Sequence, residues 1–180
     1  AINKILLDPH YPFDAPQEGD LVCVKSAEGK IMGVGHYQIG SIAVRMLEFF
    51  VSELPENFWE QRITLAYNLR ESVGLVSSEN NTYRLIHGEG DFLPGLVIDV
   101  YANTAVIQAH SIGMHLQRLQ IAEAVIKVVP GVENVDYKSD DTLPFKATIE
   151  GDRVGYLIQT QTVMPDEFWA KENNLYFRID

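Results

Sequence analysis

The sequence lacks several features that would each assign the chain to a particular class of protein. Its single cysteine, Cys23, excludes an intrachain disulfide and a cysteine-based zinc site. No run approaches the roughly 18 to 20 consecutive apolar residues of a membrane helix, and no basic-then-apolar signal segment opens the chain. We therefore expect a cytoplasmic protein with no membrane partner, in which Cys23 is a buried and inert strand residue.

Basic residues are also scarce. The chain has 14 Lys and Arg against 25 Asp and Glu, for a net charge of −11. Because affinity for nucleic acid depends largely on neutralising phosphates, this balance predicts that any RNA binding is weak and confined to a local basic patch. The apolar fraction of 46% over 180 residues is enough to fill a core, which argues against a disordered chain.

The first part of the chain has the pattern of short strands joined by glycine-containing turns. Strands are predicted at Leu21–Val24, Ile31–Tyr37 and Ile42–Phe50, which is typical of a small barrel or a piece of one. Gly33 and Gly35 inside the second strand predict a bulge or a close backbone approach.

A helix is predicted from Pro55 to Ser72, because proline is tolerated in a first helical turn. Its apolar residues recur at helical spacing, and they are Phe58, Trp59, Ile63, Ala66 and Leu69. A second helix is predicted from Met114 to Val129, with apolar residues, including Leu116 and Leu119, around most of its circumference. The remaining predicted strands are Tyr83–His87, Leu96–Tyr101, Thr104–His110, Asn134–Tyr137, Ala147–Glu150, Val154–Thr160 and Leu175–Ile179.

The sequence also lacks the common catalytic signatures. It has no G-x-S-x-G nucleophile elbow and no G-x-x-x-x-G-K-[ST] phosphate loop. The densest polar segment is His87–Asp91, followed by Asp99. Glu89, Asp91 and Asp99 could bind a hard cation, as in a metal-dependent hydrolase, or they could cap the turns of a tight loop between strands.

Two sets of side chains suit RNA. Arg62 and Arg70 lie two turns apart on one side of the first helix, where solvation or pairing with nearby acids is the simpler interpretation. Base stacking is the other function considered, and its candidates are the aromatic residues Tyr37, Tyr83, Phe92 and Tyr101.

The segment Tyr83–Tyr101 carries a family resemblance. It resembles Y-R-L-V-N-G-E-x-D-G-L-P-G-L-x-V-D-x-Y, the central signature of the 23S ribosomal RNA cytosine-5-methyltransferases that have an N-terminal PUA domain, with His87 at the common Asn and Phe92 at the common Gly. Three further segments resemble the same family in the same order. They are Gly35-His36-Tyr37 of a PUA strand, Arg62, Ala66 and Arg70 of an R-x-x-x-A-x-x-x-R helix, and Glu172–Phe177 of an E-N-G-L-x-F strand.

The resemblance implies an α+β fold in four parts. These are a small PUA-like β-barrel at 1–51, a helical linker at 52–74, a central α/β domain with a mixed sheet at 75–165, and a hairpin strand at 166–180. The Rossmann-like catalytic domain of the family is expected to be absent from this chain, and the last strand is expected to lack a partner.

The function implied is RNA binding and substrate positioning for an S-adenosylmethionine-dependent ribosomal RNA methyltransferase, a transferase of rRNA processing that acts on C5 of a 23S cytosine. We expect no catalytic, cofactor-binding or metal-binding residue in this chain, which should be inactive alone; S-adenosylmethionine belongs to the parent enzyme. The candidate RNA-binding residues are Tyr37, Arg45, Arg62, Arg70 and Arg84. The expected partners are 23S ribosomal RNA and a second copy in a homodimer, and the alternative is a protein-interaction module without RNA contact.

Overall fold

The computed structural model describes residues 2, 4–6, 15–143, 151–160 and 169–179. Their fold is mixed α/β. In chain order the elements are β1 (Leu21–Lys25), β2 (Ile31–Tyr37), β3 (Val44–Phe49), α1 (Phe58–Ser72), β4 (Thr82–His87), a 3₁₀ turn (Gly88–Asp91), β5 (Leu96–Tyr101), β6 (Thr104–Ala109), α2 (Ile112–Leu116), α3 (Arg118–Val128), β7 (Asn134–Lys138), β8 (Val154–Ile158), β9 (Trp169–Glu172) and β10 (Leu175–Arg178).

The first three strands form an antiparallel sheet in the order β1-β2-β3. Gly33 has a φ of 144°, and a Cβ there would lie 2.1 Å from the carbonyl oxygen of Glu48. The register between β2 and β3 shifts between Val34 and Gly35. The bulge and close approach predicted from the two glycines are therefore confirmed. Among the described residues this sheet is open, with one added bridge from Ile2 to Val44, and no closed barrel is seen.

The second part is a five-stranded mixed sheet in the order β4-β5-β6-β7-β8. Neighbouring strands are antiparallel except β6 and β7, which are parallel and joined by α2 and α3. Alternate residues of β5, namely Leu96, Ile98 and Val100, are buried, as expected for a strand with one face on the core. Helices α1 and α3 pack on each other and contribute to the same core. The domain limits given above stay predictions.

The final strand is paired, which corrects the expectation that it lacks a partner. β10 pairs antiparallel with β9 through a two-residue turn at Asn173 and Asn174, both with positive φ. β9 was missed because the sequence Trp-Ala-Lys-Glu has neither alternation nor β-branched residues. The hairpin is tied to the chain before β4 by four bonds. Asn81 donates its N–H to the Lys171 carbonyl oxygen, and the Lys171 N–H donates to Asn81 Oδ1. Asn174 N–H and Lys171 Nζ donate to the carbonyl oxygens of Glu79 and Ser78.

Three other predictions were wrong in detail. The predicted single helix from Met114 is two helices, because Ser111 accepts a bond from the Met114 N–H and starts the first one early, and the chain breaks at Gln117. Cys23 is exposed, because it alternates outward on the edge strand β1. Leu69, Leu116 and Leu119, assigned to packed faces, are about half exposed. The predicted strand Ala147–Glu150 lies outside the described residues.

A buried histidine joins the two parts of the chain. His36 of β2 is 1% exposed and packs on Gly113 in α2, where a Cβ would lie 2.2 Å from the imidazole Cγ. Neither ring nitrogen of His36 has a hydrogen-bond partner within the described ranges. Burial lowers the pKa of His36 to about 4, since the charged ring would lose its hydration. The junction therefore holds a neutral imidazole.

This burial predicts an acid-sensitive junction. The unfolded chain takes up a proton on His36 near the ordinary pKa of about 6.5, whereas the folded chain does so only near about 4. The stability due to the neutral ring is therefore complete above pH ~6.5 and is lost as the pH falls toward ~4. Urea unfolding of the wild type and of His36→Leu at both ends of this range should show a smaller acid loss in the variant, by about 2 to 4 kcal/mol. Equal losses in the two proteins would contradict the prediction.

Candidate nucleic-acid interface

The segment from His87 to Phe92 is the point at which the two sheets and helix α1 meet. It leaves β4 as a 3₁₀ turn, with Gly88 at a φ of 54°. The turn is closed by bonds from the Leu93 N–H to the Gly88 carbonyl oxygen and from the His87 N–H to Asp91 Oδ2, at 3.0 and 2.6 Å. Leu93 is fully buried, which anchors the end of the segment in the core. The predicted tight loop with an acid capping its turn is confirmed.

A buried ion pair fixes this turn to helix α1. Arg70 donates from Nη1 and Nη2 to the two carboxylate oxygens of Asp91, both at 2.7 Å. The two side chains are only 12% and 6% exposed. Arg70 also donates from Nε to the carbonyl oxygen of Arg84. Since a bidentate pair restrains orientation as well as distance, Arg70 is a positioning residue for the turn.

Arg62, which lies two turns before Arg70 on α1, is also held by an ion pair and a backbone carbonyl. Its Nη2 lies 2.7 Å from Glu48 Oε2 and 3.2 Å from the carbonyl oxygen of Leu47. Its guanidinium carbon lies 5.4 Å from the ring centre of Phe58 and 5.5 Å from that of Phe92. Arg62 is therefore enclosed between two aromatic rings and is 16% exposed. The simpler interpretation of Arg62 and Arg70, pairing with nearby acids, is confirmed.

The other two arginines make ion pairs that are closer to solvent on one side: Arg45, itself 18% exposed, pairs with an exposed acid, and Arg84 is itself half exposed. Arg45 Nη1 lies 3.4 Å from Glu89 Oε1, and the Glu89 side chain is 75% exposed. Arg84 makes a bidentate pair with Asp99 at 2.8 and 2.9 Å, but its own side chain is 48% exposed. Exposed pairs of this kind contribute about 0 to 1 kcal/mol. A phosphate could therefore replace the exposed Glu89 beside Arg45, or bind the exposed part of Arg84, at little cost.

Two histidines that the sequence did not single out as ligands extend this surface. His87 is exposed, and its Nδ1 lies 3.5 Å from Arg84 Nη1. His110 lies at the end of β6 with part of its ring exposed. Its pKa is lowered, chiefly by the burial of the rest of the ring. Arg45 and Arg84 lower this pKa further, and Glu89 partly opposes them. No local pattern marks His110, since it reaches the turn only through the pairing of β5 with β6.

The backbone at Phe92 is strained. This residue has a φ of 60° and a ψ of 23°, the left-handed region, which disfavours a residue with a Cβ by about 1 to 2 kcal/mol. Its side chain is nevertheless 63% exposed. The other three aromatic candidates are only partly exposed, and burial raises the pKa of Tyr83 to about 12 and also raises that of Tyr101.

The structure brings together four of the five predicted RNA-binding residues. Arg45, Arg62, Arg70 and Arg84 all contact the segment His87–Phe92, which we call the arginine-bound turn. Tyr37 is not part of it. Tyr37 pairs with Val44 while its neighbour His36 pairs with Arg45, so Tyr37 and Arg45 lie on opposite faces of the sheet. RNA binding by any of the five stays a prediction.

The three acids considered as cation ligands each form an ion pair with an arginine. Asp91, Asp99 and Glu89 face Arg70, Arg84 and Arg45 respectively. Within the described ranges, no group of three or more His, Cys, Asp or Glu side chains is placed to hold a metal ion. The hydrolase hypothesis therefore gains no support from the geometry.

The two bidentate pairs should differ sharply in their contribution to stability. Asp91→Asn removes the counter-charge of a buried Arg70, and we expect the free energy of unfolding to fall by about 3 kcal/mol. Asp99→Asn removes the same type of contact from the half-exposed Arg84, and the loss should stay within about 1 kcal/mol. Urea unfolding of the two matched variants measures both. Similar losses would show that the Arg70–Asp91 pair is not the constraint on the turn.

The sequence is similar to one described protein family and to several known proteins. Residues 7–49 match the model of a family described as a PUA-like domain. The chain is 35% identical over 164 residues to ribosomal RNA large subunit methyltransferase I of Alteromonas mediterranea, covering 90% of this chain and 40% of the relative. It is 37% identical over 127 residues to the protein of the same name from Vibrio vulnificus, covering 69% and 31%. The chain thus spans less than half the length of these relatives.

Two solved structures share the fold. One is described as a candidate methyltransferase complexed with SAH, and the other as a candidate SAM-dependent methyltransferase from Streptococcus mutans. Each has a TM-score of 0.69 and 16% sequence identity, and the match covers 91% of this chain and 40% of the other. Among the described residues, no helix is long and apolar enough to span a bilayer. The chain carries a PUA-like domain and is homologous over most of its length to the ribosomal RNA large subunit methyltransferases I.

Proposed function

We propose that this chain binds ribosomal RNA and positions it for an S-adenosylmethionine-dependent methyltransferase that modifies a cytosine of 23S ribosomal RNA at C5. The observation that carries the proposal is the convergence of four arginines on one turn at the junction of the two sheets. Two of them, Arg62 and Arg70, hold the turn in place; Arg84 is half exposed and available to a phosphate, and Arg45 could receive one if the exposed Glu89 moves away. Such a division suits a rigid surface that recognises an RNA backbone.

Charge distribution supports this location over the groove between α1 and α3. That groove has a volume of about 510 Å³ and is lined in part by Glu56, Glu60 and Glu123. Its carboxylates would repel phosphates. Around the arginine-bound turn, by contrast, four arginines pair with four acids, so this surface is a local exception to the net charge of −11.

In this proposal the methyl donor is held by the part of the relatives that this chain does not span. A doubly wound sheet binds nucleotides at the carboxyl ends of its parallel strands. Here the loop after β6 runs directly into Gly113, and the ring of His36 already occupies the space beside it. The structural neighbours are described as SAM methyltransferases, so we expect a Rossmann-like domain in the whole protein. We propose that this domain lies in the part of the relatives that the chain does not span.

The proposal predicts salt-sensitive RNA binding that depends on Arg84. Binding of a 23S ribosomal RNA fragment, followed by fluorescence anisotropy, should weaken linearly on a log–log plot as salt rises. Arg84→Ala should weaken binding and reduce the slope by about 1, because one phosphate contact is lost. Arg153→Ala is the matched control, since Arg153 is an exposed arginine next to β8, at the opposite edge of the sheet from β4.

Two results would contradict the proposal. One is the absence of RNA binding at low salt by a chain that is folded by circular dichroism. The other is an equal effect of Arg84→Ala and Arg153→Ala, which would indicate non-specific attraction. Titration calorimetry with S-adenosylmethionine tests the assignment of the donor site separately, and binding at micromolar concentration would overturn it.

A second candidate function is a protein-interaction or dimerisation module. Leu65 and Leu69 of α1 and Val73 at its C-cap recur every four residues and are 52% to 62% exposed, which is typical of a helix face that contacts another protein. Sedimentation velocity over a range of concentrations tests this function. A chain that stays monomeric would remove the homodimer from consideration.

A further inference from the structure

Phe92 is an exposed aromatic residue in a backbone conformation that favours glycine. Its φ of 60° lies in the left-handed region, and its side chain is 63% exposed. The core does not require this ring, since the neighbouring Leu93 already anchors the segment. Glycine would relieve the backbone strain, and a polar side chain would be better solvated. The contact of this exposed ring with Arg62 contributes about 0.5 to 1 kcal/mol, which does not exceed the backbone strain of about 1 to 2 kcal/mol, so folding alone does not account for phenylalanine here.

The surroundings of the ring restrict what it could bind. The guanidinium carbon of Arg62 lies 5.5 Å from the ring centre, and Arg62 is itself fixed by Glu48 and Leu47. Because the contact with Arg62 restrains the ring, it loses little freedom when a ligand stacks on it. Arg45 of β3 and Arg84 of β4 contact the same turn, at Glu89 and His87, and guanidinium groups are suited to phosphates. A flat ring beside phosphate-binding arginines matches a nucleotide with an accessible base.

We infer that Phe92 is a stacking platform for one unpaired base of the RNA, placed next to the arginines that hold its backbone. This inference rests on the proposed function, because it names the form of RNA that the same turn receives. In an RNA duplex the bases are stacked on each other and their faces are not accessible, so the ligand is a loop, a bulge or a single-stranded end.

The test compares two RNAs and two glycine variants. One RNA is a ribosomal stem-loop with 2-aminopurine in its unpaired loop, and the other is the same stem closed as a continuous duplex. Phe92→Gly removes the ring and also the backbone strain, so the fold should keep or gain stability in urea while RNA binding weakens. Phe50→Gly is the matched control, since Phe50 has a φ of 62° and is 73% exposed but lies past the far end of β3 from Arg45.

The expected result is a selective loss. Phe92→Gly should weaken binding of the stem-loop by about 5- to 150-fold, which corresponds to the loss of one stacked base, and abolish the change in 2-aminopurine fluorescence. Duplex binding should be unchanged, Phe92→Trp should retain both signals, and Phe50→Gly should behave as wild type.

Other outcomes separate this inference from the proposed function. If the wild type binds RNA with the expected salt dependence but Phe92→Gly binds the stem-loop equally well, the stacking role is overturned and RNA positioning stands. If Phe92→Gly weakens stem-loop and duplex alike, or if Phe50→Gly has the same effect, the ring contributes only non-specific apolar contact and the inference is also wrong. If the wild type binds neither RNA, both proposals are overturned.

Discussion

The buried pair between Arg70 and Asp91 is the contact on which the geometry of the arginine-bound turn depends. Helix α1 supplies the arginine, and the turn between β4 and β5 supplies the carboxylate, which also accepts a bond from the His87 N–H. With the turn fixed in this way, Glu89 is presented to Arg45 of the first sheet, and Phe92 is presented to Arg62. One ion pair therefore fixes the turn on which these two contacts depend.

The junction reconciles an acidic chain with an RNA-binding role. Each of the four arginines is paired with a carboxylate, so the unbound surface is locally neutral and does not attract RNA strongly. Where the carboxylate is exposed, as at Glu89, it can give way to a phosphate, because the energy of an exposed pair is small. Where the pair is buried, as at Asp91, replacing the carboxylate would leave an uncompensated charge. Burial thus separates the Arg70–Asp91 pair, in which both side chains are buried, from the Arg45–Glu89 pair, in which the acid is exposed, and from the Arg84–Asp99 pair, in which the arginine is half exposed.

The sequence predicted local features well and long-range contacts poorly. β2 was predicted with its observed limits, and its two glycines indicated the bulge, because a glycine's freedom is a property of the residue itself. The partners of the arginines could not be predicted, since they lie 14 to 44 residues away along the chain and are brought near only by the fold. The family resemblance placed Arg62, Arg70 and Arg84 in matching motifs, but burial alone distinguishes their roles. The contact of His36 with Gly113 could not be predicted from the sequence, since the two residues lie in different predicted elements, a strand and the position before a helix, far apart along the chain.

The central claim is that RNA meets this chain at the arginine-bound turn. Photo-crosslinking tests it most directly, with a 23S ribosomal RNA fragment that contains 4-thiouridine and mass spectrometry to identify the attached peptides. The account predicts crosslinks in peptides that contain Arg45, Arg84 or Phe92. Crosslinks confined to the β8 edge, to the β9–β10 hairpin or to the groove between α1 and α3 would contradict it.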